Sequence, residues 1–269
     1  MSNQQATATG SDLAVELGAD HVAVVEIRRP PSNFFDVALI RDLAGTFDNL
    51  SQNGLCRAIV LCSEGRHFCA GADFRVADSP AAVPATLSTG DGAHLYDMAA
   101  RLFEQPLPVV AAVQGTAIGG GMGLALAADF RVASPLARFS ANFARLGICQ
   151  GFALTVTLPA VVGQQVALDL LFTGRRVGGE EAYRLGLCDR LAPAGELRAR
   201  ARELAAEIAA SAPLAVRSIR QTMRGDLADR ARAAMARERS EQEILMATQD
   251  WTEGVTAARE RRPARFTGR

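Results

Sequence analysis

Apolar residues with polar ones between them form strand-like runs in DLAVEL (12–17) and again in HVAVVEIRR (21–29). The two runs flank Gly18-Ala19-Asp20, so they predict a β-hairpin. Beyond RPPSNFF the pattern becomes helical. Ile40, Leu43, Phe47 and Leu50 keep helical spacing, and Asp36 stands where a helix N-cap belongs. CRAIVLCSE is a continuous apolar run that predicts a buried strand leading into the loop GRHFCAGADF. The pattern next predicts a helix around Ala93–Glu104 and a strand in LPVVAAVQG. A short apolar helix opened by Gly119-Gly120-Gly121 follows, ending near Asp129, and then a strand in FRVAS. The segment Pro80–Gly90 reads as a mobile surface loop.

From Thr155 onward helix follows helix. Leu197, Ala201, Leu204, Ile208 and Ser211 share one face of a helix whose other face carries arginines and glutamates. Strand–helix alternation followed by helices predicts an α/β fold class. No linker separates two independent domains. The expected division is a core over 1–195 and a helical region over 196–269, which covers its own core or packs on a neighbouring subunit.

Composition narrows the chemistry. At 269 residues and 49% hydrophobic, the chain has ample material for a core. A formal net charge of zero makes nucleic acid and anionic membranes poor expectations. No apolar run is long enough to span a bilayer, and the polar start MSNQQATATGSDL lacks the parts of a signal peptide, so a cytoplasmic protein is expected. The five cysteines form no CxxC pair and the three histidines no HExxH, so neither a disulfide framework nor a metal site is expected. The sequence contains no lysine, which excludes a Schiff-base lysine, a pyridoxal-phosphate lysine and a Walker lysine.

Two strand-to-loop corners stand out, CAGADF and AIGGGMG. Small residues there leave main-chain N–H groups able to face an anionic oxygen, and two converging donors make an oxyanion hole. A dinucleotide fingerprint does not fit, because Gly119 and Gly121 are followed by Leu124 where a third glycine is needed. No GxSxG elbow exists.

Taken together, AIVLCSEGRHFCAGAD, PVVAAVQGTAIGGGMGLALAADFRVAS, ARFSANFARLGI, LFTGRRVGGEEAYRLGLCDRL and EGVTAARERRPARFTGR resemble the crotonase superfamily, the enoyl-CoA hydratase/isomerase family. The resemblance implies a crotonase-like spiral of ββα units with a helical C-terminal region, and a homotrimer or dimer of trimers joined through 196–269. It implies an enzyme on acyl-CoA or enoyl-CoA thioesters, with coenzyme A as part of the substrate and no separate cofactor. By position, the N–H groups of Ala70 and Gly120 become the carbonyl-oxygen donors. Ala70, Gly71, Ala72 and Asp73 become the loop along the coenzyme, with Gly119 beside the thioester. Arg259, Arg261, Arg262 and Arg265 match the segment that reaches the nucleotide phosphates, Arg261 standing where a lysine is usual. A solvated basic tail is the alternative.

The resemblance breaks at the acid–base positions. The two hydratase glutamates fall on Gly123 and Phe143, and the aspartate of an isomerase subset falls near Gly151. Phe143, Phe152 and Leu154 make the pocket more apolar than a hydratase's. Isomerisation or other enolate chemistry is therefore favoured over two-glutamate hydration, and a non-catalytic acyl-CoA-binding protein is the alternative. The resemblance to a dehalogenase branch of the superfamily, which carries a catalytic histidine on this helix, makes His94 the candidate base, with thioester hydrolysis or dehalogenation as a third reading, against a packing role. His67, Asp73 and Asp129 read as fold-holding residues, and Cys149 as a small filler rather than a nucleophile.

Overall fold

The structure, a computed structural model, describes residues 5–6, 12–74 and 79–269. In chain order β1 (Gln5–Ala6), β2 (Leu13–Leu17) and β3 (Val22–Ile27) lead into α1 (Val37–Gln52) and β4 (Ala58–Ser63). Then come α2 (Val83–Thr86), α3 (Leu95–Glu104), β5 (Val109–Val113), β6 (Thr116–Ile118), α4 (Gly120–Ala127), β7 (Phe130–Ala133) and β8 (Arg138–Ser140). The rest is α5 (Leu154–Val162), α6 (Gln164–Thr173), β9 (Val177–Gly178), α7 (Gly179–Arg184), β10 (Arg190–Leu191), α8 (Leu197–Ala209), α9 (Pro213–Arg224), α10 (Leu227–Leu245) and α11 (Gln249–Glu260).

The local signals work as chemistry demands. β2 and β3 pair antiparallel with Val15 opposite Val25. The Asp36 carboxylate accepts the Leu39 N–H at 2.8 Å and so starts α1. The large sheet has strand order β1-β2-β3-β4-β5-β7-β10, and from β3 onward every pairing is parallel. β6, β8 and β9 form a smaller sheet. Successive turns of chain therefore place one strand in the large sheet and the next in the small one, β5 then β6, β7 then β8. This is the α/β crotonase-like spiral.

Parallel strands covered on both faces need apolar residues at every position. All six residues of β4 are buried. Ile59 and Leu61 face the main core with α1, α3 and α4, whereas Ala58, Val60 and Cys62 face a second core. That second core is closed by Leu197, Ala201, Leu204, Ala205 and Ala209 of α8. Thus α8 covers the chain's own sheet, and Ser211, expected on its face, lies exposed beyond its end. α10 packs on α3 and α5. α9 buries no residue and leaves Leu214, Ile219 and Met223 exposed.

The segment Pro80–Gly90 lies largely at the surface, as expected, but is not all loop. It forms a 3₁₀ turn over Pro80–Ala82 and then α2, with Val83 fully buried. The indole of Trp251 donates to the Pro80 carbonyl at 3.0 Å, anchoring the turn to α11.

Candidate active site

Two corners meet where the sheets are joined. After β4 the chain reaches Cys69, which bridges to Ala117 of β6, and the Ile118 N–H donates to the Cys69 carbonyl at 3.0 Å. The 69–73 and 118–121 backbones therefore run side by side. Glycine is required for that approach: a Cβ on Gly121 would collide with the Cys69 carbonyl oxygen. Gly71 and Gly119 have φ of +87° and +55°, in the left-handed region.

The main-chain donors at this junction fall into two groups. The Ala70 N–H donates to the Ser32 carbonyl at 3.0 Å, and the Gly119 N–H to the Ser140 carbonyl at 2.8 Å. The Ala72 N–H has no acceptor among the described residues. Neither has the Gly120 N–H, which belongs to the first residue of α4 and lacks an intrahelical partner. The expectation for Ala70 is thereby corrected: its amide is spent on the loop through Ser32, and the unspent donor on that corner is two residues on. Sequence position identifies the loop, but the strand-like pairing of Phe35 with Ala72 decides which amide stays free.

Both corners open into a cavity of about 480 Å³. Its polar side chains are Asp73, Tyr96, Asn142, Gln242, Arg259 and Arg261, and its apolar walls include Phe35, Phe143, Phe152 and Met246. Among the described residues Asp73 is the one carboxylate that lines it, and no histidine or cysteine does. Ala70, Gly71, Ala72, Gly119 and Gly120 all border it.

Gly123 and Gly151 lie behind the lining. A Cβ on Gly123 would sit 2.6 Å from the Phe152 Cβ, and one on Gly151 would collide with the Tyr96 hydroxyl. His94 does not line the cavity either. It is the N-cap of α3, its Nδ1 accepting the Tyr96 N–H at 3.1 Å. Burial, with Arg239 nearby, lowers its pKa. Cys149 lies outside the lining, and burial beside Glu238 pushes its thiol up to about 11, far from a nucleophile at neutral pH. Asp129 holds the fold, accepting the Val109 N–H at 2.8 Å and pairing with Arg220 at 2.9 Å and Arg224 at 2.7 Å. His67 lies in the loop it was assigned to, its carbonyl accepting from Asn33 and Gln114.

Of the basic tail, Arg259 and Arg261 border the cavity. Arg262 is turned to Glu253 and Glu260, and the Arg265 N–H donates to Glu253.

Two side chains of α10, Gln242 in the lining and Glu238 behind it, escape a reading by motif. Gln242 accepts the Tyr96 hydroxyl at 2.9 Å and donates to the Cys149 and Gln150 carbonyls. Glu238, one turn earlier on α10, accepts from the Ala153 N–H at 2.9 Å, the Thr155 N–H at 3.1 Å and the Thr155 hydroxyl at 2.6 Å. Desolvation raises the Glu238 pKa against these hydrogen bonds. No local spacing links positions 96, 151 and 242, so only the tertiary structure shows them.

The fold is thus an α/β spiral with a glycine-bordered cavity at the junction of its two sheets. A family profile described as enoyl-CoA hydratase/isomerase matches residues 18–269. YngF of Bacillus subtilis, named with the enoyl-CoA hydratases/isomerases, is 32% identical over 96% of this chain and 99% of its own. A carnitinyl-CoA dehydratase of Proteus mirabilis is 36% identical over 76% of this chain and 77% of its own. The crystal structure of an enoyl-CoA hydratase/isomerase from Pseudoalteromonas atlantica superposes with a TM-score of 0.85 at 29% identity, covering 96% of this chain and 100% of that one. The chain belongs to the enoyl-CoA hydratase/isomerase family.

Proposed function

We propose that the protein acts on acyl-CoA thioesters and holds the thioester carbonyl oxygen between the N–H groups of Ala72 and Gly120. The observation that carries this reading is the pair of unspent amides on adjoining corners of one cavity. Such donors favour negative charge on the oxygen, so they acidify the adjacent carbon and stabilise an enolate. Arg259 and Arg261 at the cavity suit an anionic nucleotide. Coenzyme A enters as part of the substrate, and no further cofactor is invoked.

Enolate chemistry, with double-bond isomerisation as its simplest form, is favoured over hydration. Hydration by two glutamates has no counterpart at Gly123 or Phe143. Isomerisation moves a single proton between two carbons and needs one shuttle. His94 would have to give up its capping bond to serve, so it is not assigned that role. A second reading, acyl-CoA binding without turnover, is favoured by the scarcity of titratable groups in the lining. For the assembly, a homotrimer or dimer of trimers is proposed, and the protein is placed in the cytoplasm.

The test offers crotonyl-CoA, a 3-enoyl-CoA and a saturated acyl-CoA to the purified protein, following turnover and calorimetric binding together. Conversion of the 3-enoyl ester faster than hydration of crotonyl-CoA is the expected result. Binding of all three without turnover transfers the reading to a carrier or sensor, and no binding at all overturns both.

A further inference from the structure

We infer that Phe152 is the specificity-determining residue of this site and restricts it to acyl groups unbranched at the β-carbon. The inference rests on the acyl-CoA reading above.

Phe152 and Ala153 are consecutive non-glycine residues in the left-handed region, with φ of +58° and +61°. That conformation is unfavourable for residues bearing a Cβ and persists only where the surroundings impose it. Here the surroundings are identifiable. Glu238 takes the Ala153 and Thr155 amides on the downstream side of the bend. Gln242 takes the Cys149 and Gln150 carbonyls on the upstream side and is itself fixed by the Tyr96 hydroxyl. α5 has no side-chain cap of its own, so Glu238 supplies one from α10.

This bend delivers a fully buried phenyl ring to one place. Phe152 covers Gly123, where a Cβ would stand 2.6 Å from its own. Its ring lies 5.4 Å, centroid to centroid, from that of Phe35, which abuts Gly120. Gly120 and Gly123 are three residues apart on α4, and such residues are neighbours on one helix face at about 5–6 Å. An acyl group whose carbonyl oxygen meets the Gly120 N–H therefore runs its first carbons past the Phe152 ring. A straight chain passes, whereas a methyl branch at the β-carbon meets the ring. Tyr96, Gln242 and Glu238 act as positioning residues for that ring.

The test measures calorimetric affinities of free coenzyme A, butyryl-CoA and isovaleryl-CoA, which differ from one another by the acyl group alone. Wild type is compared with Phe152→Gly, which suits the left-handed backbone, with Phe152→Leu and with Tyr96→Phe. Wild type is expected to prefer butyryl-CoA over its β-methyl relative by about tenfold or more, the usual span for one methylene group in a fitted pocket. Phe152→Gly should bring the two within about threefold while leaving free coenzyme A unchanged, and Phe152→Leu should fall between. Tyr96→Phe should move the ratio in the same direction, because it loosens the clamp without removing the ring. A ratio unchanged in Phe152→Gly overturns the inference. If that variant does not fold, an unchanged ratio in Phe152→Leu does so. Wild-type protein that binds none of the three ligands overturns the acyl-CoA reading itself, a separate and recognisable failure.

Discussion

Exchanging the alanine at 72 for lactate replaces its amide by an ester and deletes one N–H without altering any side chain. The same exchange at 70 is the matched control. At 72 the lost N–H has no acceptor within the described protein, so its deletion removes no fold-holding bond. The exchange also weakens the Gly71 carbonyl, which accepts from the Phe35 N–H at 3.0 Å. At 70 it weakens the Cys69 carbonyl, acceptor of the Ile118 N–H, and additionally deletes the bond to Ser32. One neutral hydrogen bond is worth about 0.5–1.5 kcal/mol, so the control should be the less stable of the two by that amount. Catalysis should show the reverse order. Loss of one oxyanion donor costs about 2.7–4 kcal/mol, so the 72 ester should turn over about 10²–10³ times more slowly. The assays are urea unfolding for stability, and isomerisation of a 3-enoyl-CoA plus deuterium exchange at the α-carbon of butyryl-CoA for chemistry. A crippled 70 ester beside an active 72 ester would return the donor role to Ala70 and refute the reasoning.

Gly123→Glu should destabilise the protein by several kcal/mol, since it overpacks against Phe152 and buries a charge without a partner; a thermal melt reads this, and Phe152→Gly in the same chain should recover part of the loss. Asp129→Ala should cost about 3–5 kcal/mol by stranding Arg220 and Arg224, seen as a lower urea midpoint at unchanged slope. Glu238 has a pKa raised above its unfolded value, so its contribution is fully present below that value and is lost as pH rises through the folded pKa. The stability difference between wild type and Glu238→Gln should therefore shift against wild type from about pH 4.5 upward, and a pH-independent difference would contradict the burial assigned to this carboxyl.

Local signals were readable in the chain because they act within a few residues. Asp36 caps the helix that follows it, and the apolar run 58–63 declares a strand covered on both faces. The glycine corners were readable as sites of close approach, since nothing larger than hydrogen fits at Gly121. Which amide remains unspent was not readable, because Ala70 is claimed by Ser32, a residue on another loop. Turn chemistry in Pro80–Gly90 marked a surface segment, but the tie that holds its first residue comes from Trp251, 171 positions away. Phe152 was readable as an apolar pocket residue, but its left-handed backbone was not, as non-glycine residues at positive φ are foreseen only when the groups that force them are known.

Trp251 is the chain's single tryptophan, and it is fully buried with its ring edge-on to Phe74 at a centroid distance of 5.4 Å. Phe74 borders the cavity. The protein thus carries one native fluorophore a single side chain away from its ligand space, with no second indole to dilute the emission. Filling the cavity and reordering Phe74 should change its intensity or wavelength directly. Occupancy can then be titrated optically, without label or coupled reaction, for ligands that are turned over and for those that are merely held.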